Sequence, residues 1–390
     1  MVSVQEAFSI LKNNVPALKV VEMSLTSARK HILAEDLYAP MSMPPFRQSA
    51  MDGFALGLHD SLEYEIIGEI KAGDVHQVNL LPGQAVKIFT GAPVPDSAQA
   101  VMQIEKVTQE GRVLKLVEAP KLNMNIRPIG EQNSKGDLAL QKGTQLNAAC
   151  IGFLAGLGFT RVNVYQKPTV GIIVTGNELV RPGLPLTYGK IYESNSIMLQ
   201  TALQDDSYNI IKTYEVNDDF ENTKMILEQA LTENEVILVS GGISVGDYDF
   251  VAQALEYLGV ETLFYKVKQK PGKPLFAGKL KDKRVFALPG NPAASLTCFY
   301  VYVLPTLQMM SGLARDYGQT ETKKLAHDFS VSNARNQFLK AQIIGEEVTI
   351  LTHQNSSMLN TFSVSNGLVY VEDGGYELSK GDSVAVYVVG

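Results

Sequence analysis

The stretch Val236-Ile237-Leu238-Val239-Ser240-Gly241-Gly242-Ile243-Ser244-Val245-Gly246-Asp247-Tyr248-Asp249 narrows the possible folds more than any other part of the chain. Its apolar start reads as a strand covered on both faces, the habit of parallel sheets. The strand runs straight into glycines, a hydroxyl and carboxylates, and a helical pattern begins at Phe250. In an open parallel sheet, ligands bind just beyond the carboxyl ends of the strands. Glycines there let backbone N–H groups approach a phosphate closely, and the helix that follows adds its positive end. Carboxylates beside a phosphate point to a bridging metal ion, because bare like charges repel. A tight strand-to-helix turn with no ligand fits the same run, so the wider pattern has to decide.

Around it, residues 168–315 alternate strand and helix. The pattern predicts strands at 169–175, 209–216, 235–240, 262–267 and 284–288, and helices near 195–206, 219–233, 249–258 and 292–311. This is the signature of a doubly wound α/β sheet. Three strand ends carry polar turns: Thr175-Gly176-Asn177-Glu178, Ser240-Gly241-Gly242 and Pro289-Gly290-Asn291-Pro292. Three such turns on one sheet edge are a far stronger sign of a site than any one alone. Ahead of this region, residues 3–13 read as an amphipathic helix and 24–37 as a second, with Ser24 or Thr26 as N-cap. Prolines at 40, 44 and 45 break the pattern, and short alternating strands with Gly and Pro turns follow from about 50 to 145. Residues 146–160 return to helix. From about 320 the chain turns to β again, with 368–371 and 383–389 as strands of a small barrel or sandwich. The expected fold is multidomain α/β plus β. It comprises a discontinuous helical or linker domain (1–40 and 146–167), an inserted β domain (41–145), a doubly wound α/β domain (168–317) and a C-terminal β-barrel domain (318–390).

A net charge of −7 argues against a general nucleic-acid binder, whose affinity comes mainly from Lys and Arg. Cys150 and Cys298 give neither a disulfide framework nor zinc spacing, which suits a reducing compartment. The histidines, at 31, 59, 76, 327 and 353, never pair at ligand spacing. The first sixteen residues lack the features of a signal peptide. The longest apolar stretches, 148–159 and 296–310, fall short of the ~20 residues a membrane span needs. The expectation is a cytoplasmic protein with no membrane partner.

Within this acidic chain, segment 266–284 concentrates Lys266, Lys268, Lys270, Lys273, Lys279, Lys281, Lys283 and Arg284. A lysine run is commonly a solvated loop. Here Pro271, Gly272 and Pro274 brace Lys270 and Lys273, so fixing the two ammonium groups costs less entropy, and an oxyanion site is expected. Asp52 before Gly53, and Thr90 within Phe89-Thr90-Gly91-Ala92-Pro93-Val94-Pro95, place one carboxylate and one hydroxyl on tight loops. Pattern alone favours plain turns at both.

Taken together, these segments resemble the molybdopterin molybdenumtransferase family, the bacterial MoeA proteins and the E domain of gephyrin. The matching stretches are Met43-Pro44-Pro45-Phe46 with Ser49-Ala50-Met51-Asp52-Gly53-Phe54-Ala55, then Thr90-Gly91-Ala92-Pro93-Val94-Pro95, Arg127 with Gly130-Glu131, and Val174-Thr175-Gly176 with Glu178-Leu179. They continue through Ile191-Tyr192-Glu193-Ser194-Asn195, Ser240-Gly241-Gly242-Ile243-Ser244-Val245-Gly246 with Asp249, Lys270-Pro271-Gly272-Lys273-Pro274 and Leu288-Pro289-Gly290-Asn291-Pro292.

The resemblance implies an elongated homodimer whose α/β domain binds molybdopterin. The implied reaction takes adenylylated molybdopterin and molybdate to molybdenum cofactor and AMP with Mg²⁺, and the molybdopterin adenylyltransferase is a further partner. It implies catalytic roles for Asp52, Thr90, Glu178, Asp218 and Asp249, with Asp218 and Asp249 as the metal carboxylates. Substrate contacts fall to Gly241, Gly242, Ser244, Gly246, Pro289, Gly290 and Asn291. Molybdate contacts fall to Lys270, Lys273, Lys340 and Ser356, a set of fixed cations and hydroxyls suited to a tetrahedral dianion. The chain departs from the family pattern at Arg47-Gln48 (usually Asp-Asn), Gln132 and Asn177 (usually Asp), Lys340 (usually Arg) and Ala294 (often Ser). Those departures motivate a second reading, a non-catalytic paralogue that binds molybdopterin or its cofactor. A third, the adenylyltransferase itself, sits poorly with the flanking domains and the Lys-Pro-Gly-Lys-Pro loop. A gephyrin-like scaffold would call for further domains or linkers.

Overall fold

The computed structural model describes residues 1–16, 18–74, 78–242, 250–331, 335–374 and 376–389. The chain divides into two compact units. One comprises Met1–Glu22, Lys30–Ala34 and Asn163–Gly390, the other Met23–Arg29 and Glu35–Val162.

The first unit opens with α1 (Val4–Lys12), whose Ser3 and Glu6 form a reciprocal capping box. An α/β sheet follows, built from β1 (Val170–Thr175), α2 (Asn195–Asp205), β2 (Ile211–Val216), α3 (Phe220–Glu233), β3 (Val236–Ser240), α4 (Phe250–Tyr257) and β4 (Glu261–Tyr265). A two-residue strand, β5 (Gln269–Lys270), leads to β6 (Phe276–Leu280), β7 (Lys283–Leu288) and the helical run α5 (Pro292–Met310). The sheet order is β2-β1-β3-β7-β6-β4. β2, β1, β3 and β7 are parallel, β6 is antiparallel to β7, and the edge strand β4 is antiparallel to β6. Strand periodicity sorts the side chains: Ile172, Val174 and Leu238 face a core shared with α1, α2 and α5, and Ile173, Ile237 and Val239 face a second core under α3 and α4. Register brings Val174 opposite Ser240 and Ser240 opposite Leu288, so these strands end level.

Helix α5 is 19 residues long, close to the span its sequence suggested, and its apolar window is 83% buried inside the protein. That burial marks it as a core helix. After it come β8 (Glu321–Leu325), β9 (Asn336–Ile344), β10 (Glu347–Ile350), β11 (Gly367–Val371) and β12 (Ser383–Val388). β9 pairs with both β10 and β11, β10 with β8, β8 with β12 and β12 with β11, which closes a five-stranded barrel. β5 adds to β9 at its first two residues, Gln269 opposite Asn336 and Lys270 opposite Gln337.

The second unit holds a six-stranded sheet in the order Ala100–Gln103, Gly53–Leu56, Gln84–Ile88, Glu63–Ile70, Val113–Leu116, Val107–Glu110. It also contains the helix Ala148–Gly156, capped by Asn147.

Two expectations are corrected. No helix forms over 24–37. A 3₁₀ turn spans only Leu25–Ser27, Ser24 makes no capping hydrogen bond and its hydroxyl instead contacts those of Thr26 and Ser27. Lys30 takes a left-handed φ of 61°, which stops any continuation. The expected strands lacked one within 266–284: Phe276–Leu280 forms a hairpin with β7, closed by a left-handed Lys281. In addition, α1 buries Val4, Ala7 and Leu11 in the α/β core.

Candidate functional site

The three polar turns meet. At the carboxyl ends of β1, β3 and β7, a cavity of about 620 Å³ is lined by Thr175, Gly176, Glu178, Ser240, Gly241, Gly242, Pro289, Gly290 and Asn291, with Glu193–Asn195, Asp218 and Pro274 completing its wall. The glycines after β3 are required by geometry. Gly241 and Gly242 have φ of 93° and 64°. A Cβ at Gly241 would lie 2.6 Å from the Thr175 carbonyl, and one at Gly242 would lie 2.6 Å from Val251 Cγ2. Only glycine fits both the conformation and the space.

Asp218 follows β2 and bends toward the end of β1. Its Oδ1 accepts from the Thr175 hydroxyl, and its Oδ2 accepts from the Asn177 amide at 3.1 Å. Asn177 Oδ1 in turn accepts the Asp218 amide at 3.2 Å. An aspartate at 177 would set a second negative charge against Asp218, which gives this departure a local reason. Among the described residues each Asp218 oxygen accepts only one hydrogen bond, and the Glu178 carboxylate folds back over Gly176 on the same cavity. These hard oxygen donors suit Mg²⁺ beside a phosphate. Asp249, Ser244 and Gly246, expected alongside them, lie outside the described residues. Among the described residues no cluster of three or more His, Cys, Asp or Glu side chains is placed to hold a metal by itself.

One organiser escaped sequence reasoning. Asn195, at the start of α2, donates from Nδ2 to Ser240 Oγ and to the Gly290 carbonyl, both at 2.8 Å. It ties the β3 turn to the β7 turn. Its Oδ1 is buried without a partner among the described residues. The Tyr192-Glu193-Ser194-Asn195 stretch was visible as a motif, but nothing in it says which turns the amide would join.

A basic edge borders the same cavity through Pro274. Of the lysines in this loop, Lys268 is paired with Asp373. Lys270 and Lys273 are exposed, and neither ammonium has a hydrogen-bond or ion-pair partner among the described residues. Ser356 reaches the turn after β7: its hydroxyl accepts from Asn291 Nδ2 at 3.0 Å and its carbonyl from the Ala294 amide at 3.2 Å.

Lys340 corrects an expectation. It is buried on β9, and its Nζ donates to the carbonyls of His353, Asn355 and Met358 at 2.9, 3.3 and 3.0 Å. All three ammonium protons are spent on the loop that carries Ser356, so none is left for an anion. Burial also holds this ammonium below the ordinary lysine range.

In the second unit, Asp52 and Thr90 are brought together. The Thr90 amide and hydroxyl both donate to Asp52 Oδ1, at 2.7 and 2.8 Å. The amide, and then the hydroxyl, hold the Asp52 carboxyl below its usual range. Arg47 is consumed structurally, donating to the carbonyls of Pro95, Asp96 and Ala98. Gln132 is exposed, and its amide donates to the Met43 carbonyl.

Comparison with known proteins is consistent along the chain. Residues 2–158 match the family model of the MoeA N-terminal region (domain I and II), residues 171–309 that of the "Probable molybdopterin binding domain", and residues 322–389 that of the MoeA C-terminal region (domain IV). The molybdopterin molybdenumtransferase of Haemophilus influenzae is 33% identical over 403 residues, covering 99% of this chain and 98% of its own. Molybdopterin molybdenumtransferase 2 of Mycobacterium tuberculosis is 31% identical over 402 residues, covering 99% of both chains. The crystal structure of a molybdopterin biosynthesis MoeA protein from Pyrococcus horikoshii superposes with a TM-score of 0.82 at 29% identity, covering 100% of this chain and 99% of that one.

Proposed function

The chain belongs to the MoeA family of molybdopterin molybdenumtransferases, and from that premise we propose how its residues divide the work. It acts in molybdenum cofactor biosynthesis as a molybdopterin molybdenumtransferase. The reaction we propose takes adenylylated molybdopterin and molybdate to molybdenum cofactor, with AMP released. The observation that carries it is the meeting of three polar turns with Asp218 in one cavity that the Lys270–Pro274 loop also borders.

In this reading the backbone of Gly241, Gly242 and Gly290 receives the pterin phosphate, where close approach to N–H groups replaces hydration. Thr175 and Asn177 hold Asp218 in one orientation. Asp218, with Glu178 on the same cavity, and Asp249 would hold Mg²⁺, which supplies positive charge against the phosphoanhydride when bound. Lys270, Lys273 and Ser356 fix the molybdate dianion, the lysines as free point charges on a braced loop. Asp52, kept ionised by Thr90, serves the same reaction. The dithiolene sulfurs that take the metal belong to the substrate, so no cysteine ligand is needed. We propose further that the protein works in the cytoplasm as a homodimer and receives its pterin nucleotide from the molybdopterin adenylyltransferase. A native mass near 42.6 kDa, that of one chain, would remove the dimer.

The test is AMP release from adenylylated molybdopterin with Mg²⁺, with and without molybdate. Release that depends on molybdate supports the assignment. Nucleotide binding without such release would leave the non-catalytic paralogue in its place.

A further inference from the structure

Beneath the Lys270–Lys273 loop lies a small polar network in an otherwise apolar core. Gln269, Cys298 and Tyr302 are each fully buried, at 0% exposure. Gln269 Nε2 donates to the carbonyls of Pro271 at 3.0 Å and Gly272 at 3.3 Å. Its Oε1 accepts from the Tyr302 hydroxyl. Tyr302 sits in a π-helical turn, Phe299–Val303, inside α5. Such turns are rare and frequent at functional sites.

Burying an amide and a phenol in a core is unfavourable unless every polar atom is paired. Here they are paired, and the pairing has a target: Pro271 and Gly272 are the two residues between Lys270 and Lys273. The fit is tight. Gly272 has φ of 84°, and a Cβ there would lie 2.4 Å from Cys298 Sγ and 2.9 Å from Gln269 Nε2. The backbone of Gln269 and Lys270 is fixed as well, by pairing with Asn336 and Gln337 of the barrel. Neither Gln269 nor Tyr302 lines the cavity.

We propose that Gln269 and Tyr302 are positioning residues for the transferase reaction: the Tyr302–Gln269 pair clamps the Pro271 and Gly272 carbonyls and thereby fixes the separation and direction of the Lys270 and Lys273 ammonium groups. The proposal rests on the reading that those two lysines receive the oxyanion. A satisfied buried network of this kind specifies geometry more than it adds stability.

The experiment compares molybdate KM, kcat and affinity for adenylylated molybdopterin in full-length Gln269→Met, Tyr302→Phe, Lys270→Met and Lys273→Met. Gln269→Met keeps the volume, leaves the Pro271 carbonyl without its donor and leaves the Gly272 carbonyl with only the weak Cys298 thiol. Tyr302→Phe removes one hydroxyl and guards against a Gln269 variant that fails to fold. The expected result is a rise of about tenfold in molybdate KM for Gln269→Met and a smaller rise for Tyr302→Phe. In both, kcat and nucleotide affinity are retained. A purely structural role would lower the active fraction, and so the apparent kcat, without moving KM. If the lysine variants raise molybdate KM and neither Gln269→Met nor Tyr302→Phe does, the clamp is overturned alone. If the lysine variants leave KM unchanged, the oxyanion reading falls and the clamp with it.

Discussion

Lys340 donates to the carbonyl of Met358 at 3.0 Å from the face of β9 turned away from the barrel core, and with two further carbonyls it draws the Ser356 loop onto β9. A residue whose place in the family pattern implied anion binding is a loop anchor. Lys340→Met should therefore act first on stability. It leaves the Met358 carbonyl without its donor, while the His353 and Asn355 carbonyls keep the Thr361 hydroxyl and the Met358 amide, for an expected loss of about 1–3 kcal/mol. Chemical denaturation would show a lowered midpoint with an unchanged slope. A drop in molybdate affinity with full stability would restore the direct-contact role.

Asp218→Asn should reduce AMP release by about two orders of magnitude. The Asp218 oxygens accept from the Thr175 hydroxyl and the Asn177 amide, and an amide side chain would point two hydrogens at one of those donors. Steady-state AMP release and nucleotide binding without Mg²⁺ separate the effects. Binding should survive and turnover should not.

Gly241→Ala meets the Thr175 carbonyl at 2.6 Å and a φ of 93°. The strain is worth about 1–3 kcal/mol. Thr175 also orients Asp218, so turnover should fall along with the melting temperature. An alanine variant with normal activity would show that the turn does not need to be this tight.

Thr90→Val removes the hydroxyl from Asp52 and keeps the amide. The Asp52 carboxyl, now held low, should titrate closer to its ordinary value of about 3.9. The sign follows from a depressed folded-state value. The stabilisation is present above the unfolded carboxyl range and is lost as pH falls through the folded one. In the variant that loss is smaller and is complete at a higher pH. Carbon-13 titration of the Asp52 carboxyl measures it directly.

The α/β sheet and its meeting turns were legible because long apolar runs ending in Gly and Pro leave few alternatives. Val236–Ser240 is buried at every position, as its composition required. The helix expected over 24–37 failed because serine and threonine hydroxyls competed locally and Lys30 turned left-handed. The Phe276–Leu280 strand was hidden by the lysines around it. Lys340 shows a different limit: composition gives a side chain its charge, and only the fold gives it a direction. Asn195 and Gln269 are single amides whose partners lie 45 and 95 residues away in one case and 33 in the other. No periodicity encodes such pairings.

β9 is long enough that its first residues extend beyond β10, and there the rim accepts β5. The cation-bearing segment is thus stitched to a barrel none of whose described residues lines the cavity. Its protection from solvent exchange is set by the barrel. The amides of Lys270 and Gln337 should exchange in one cooperative event, at the rate of barrel opening. Heat that loosens the C-terminal domain would then disperse the two lysines while the glycine turns of the sheet still stand, so the enzyme would lose its inorganic substrate before it loses its organic one.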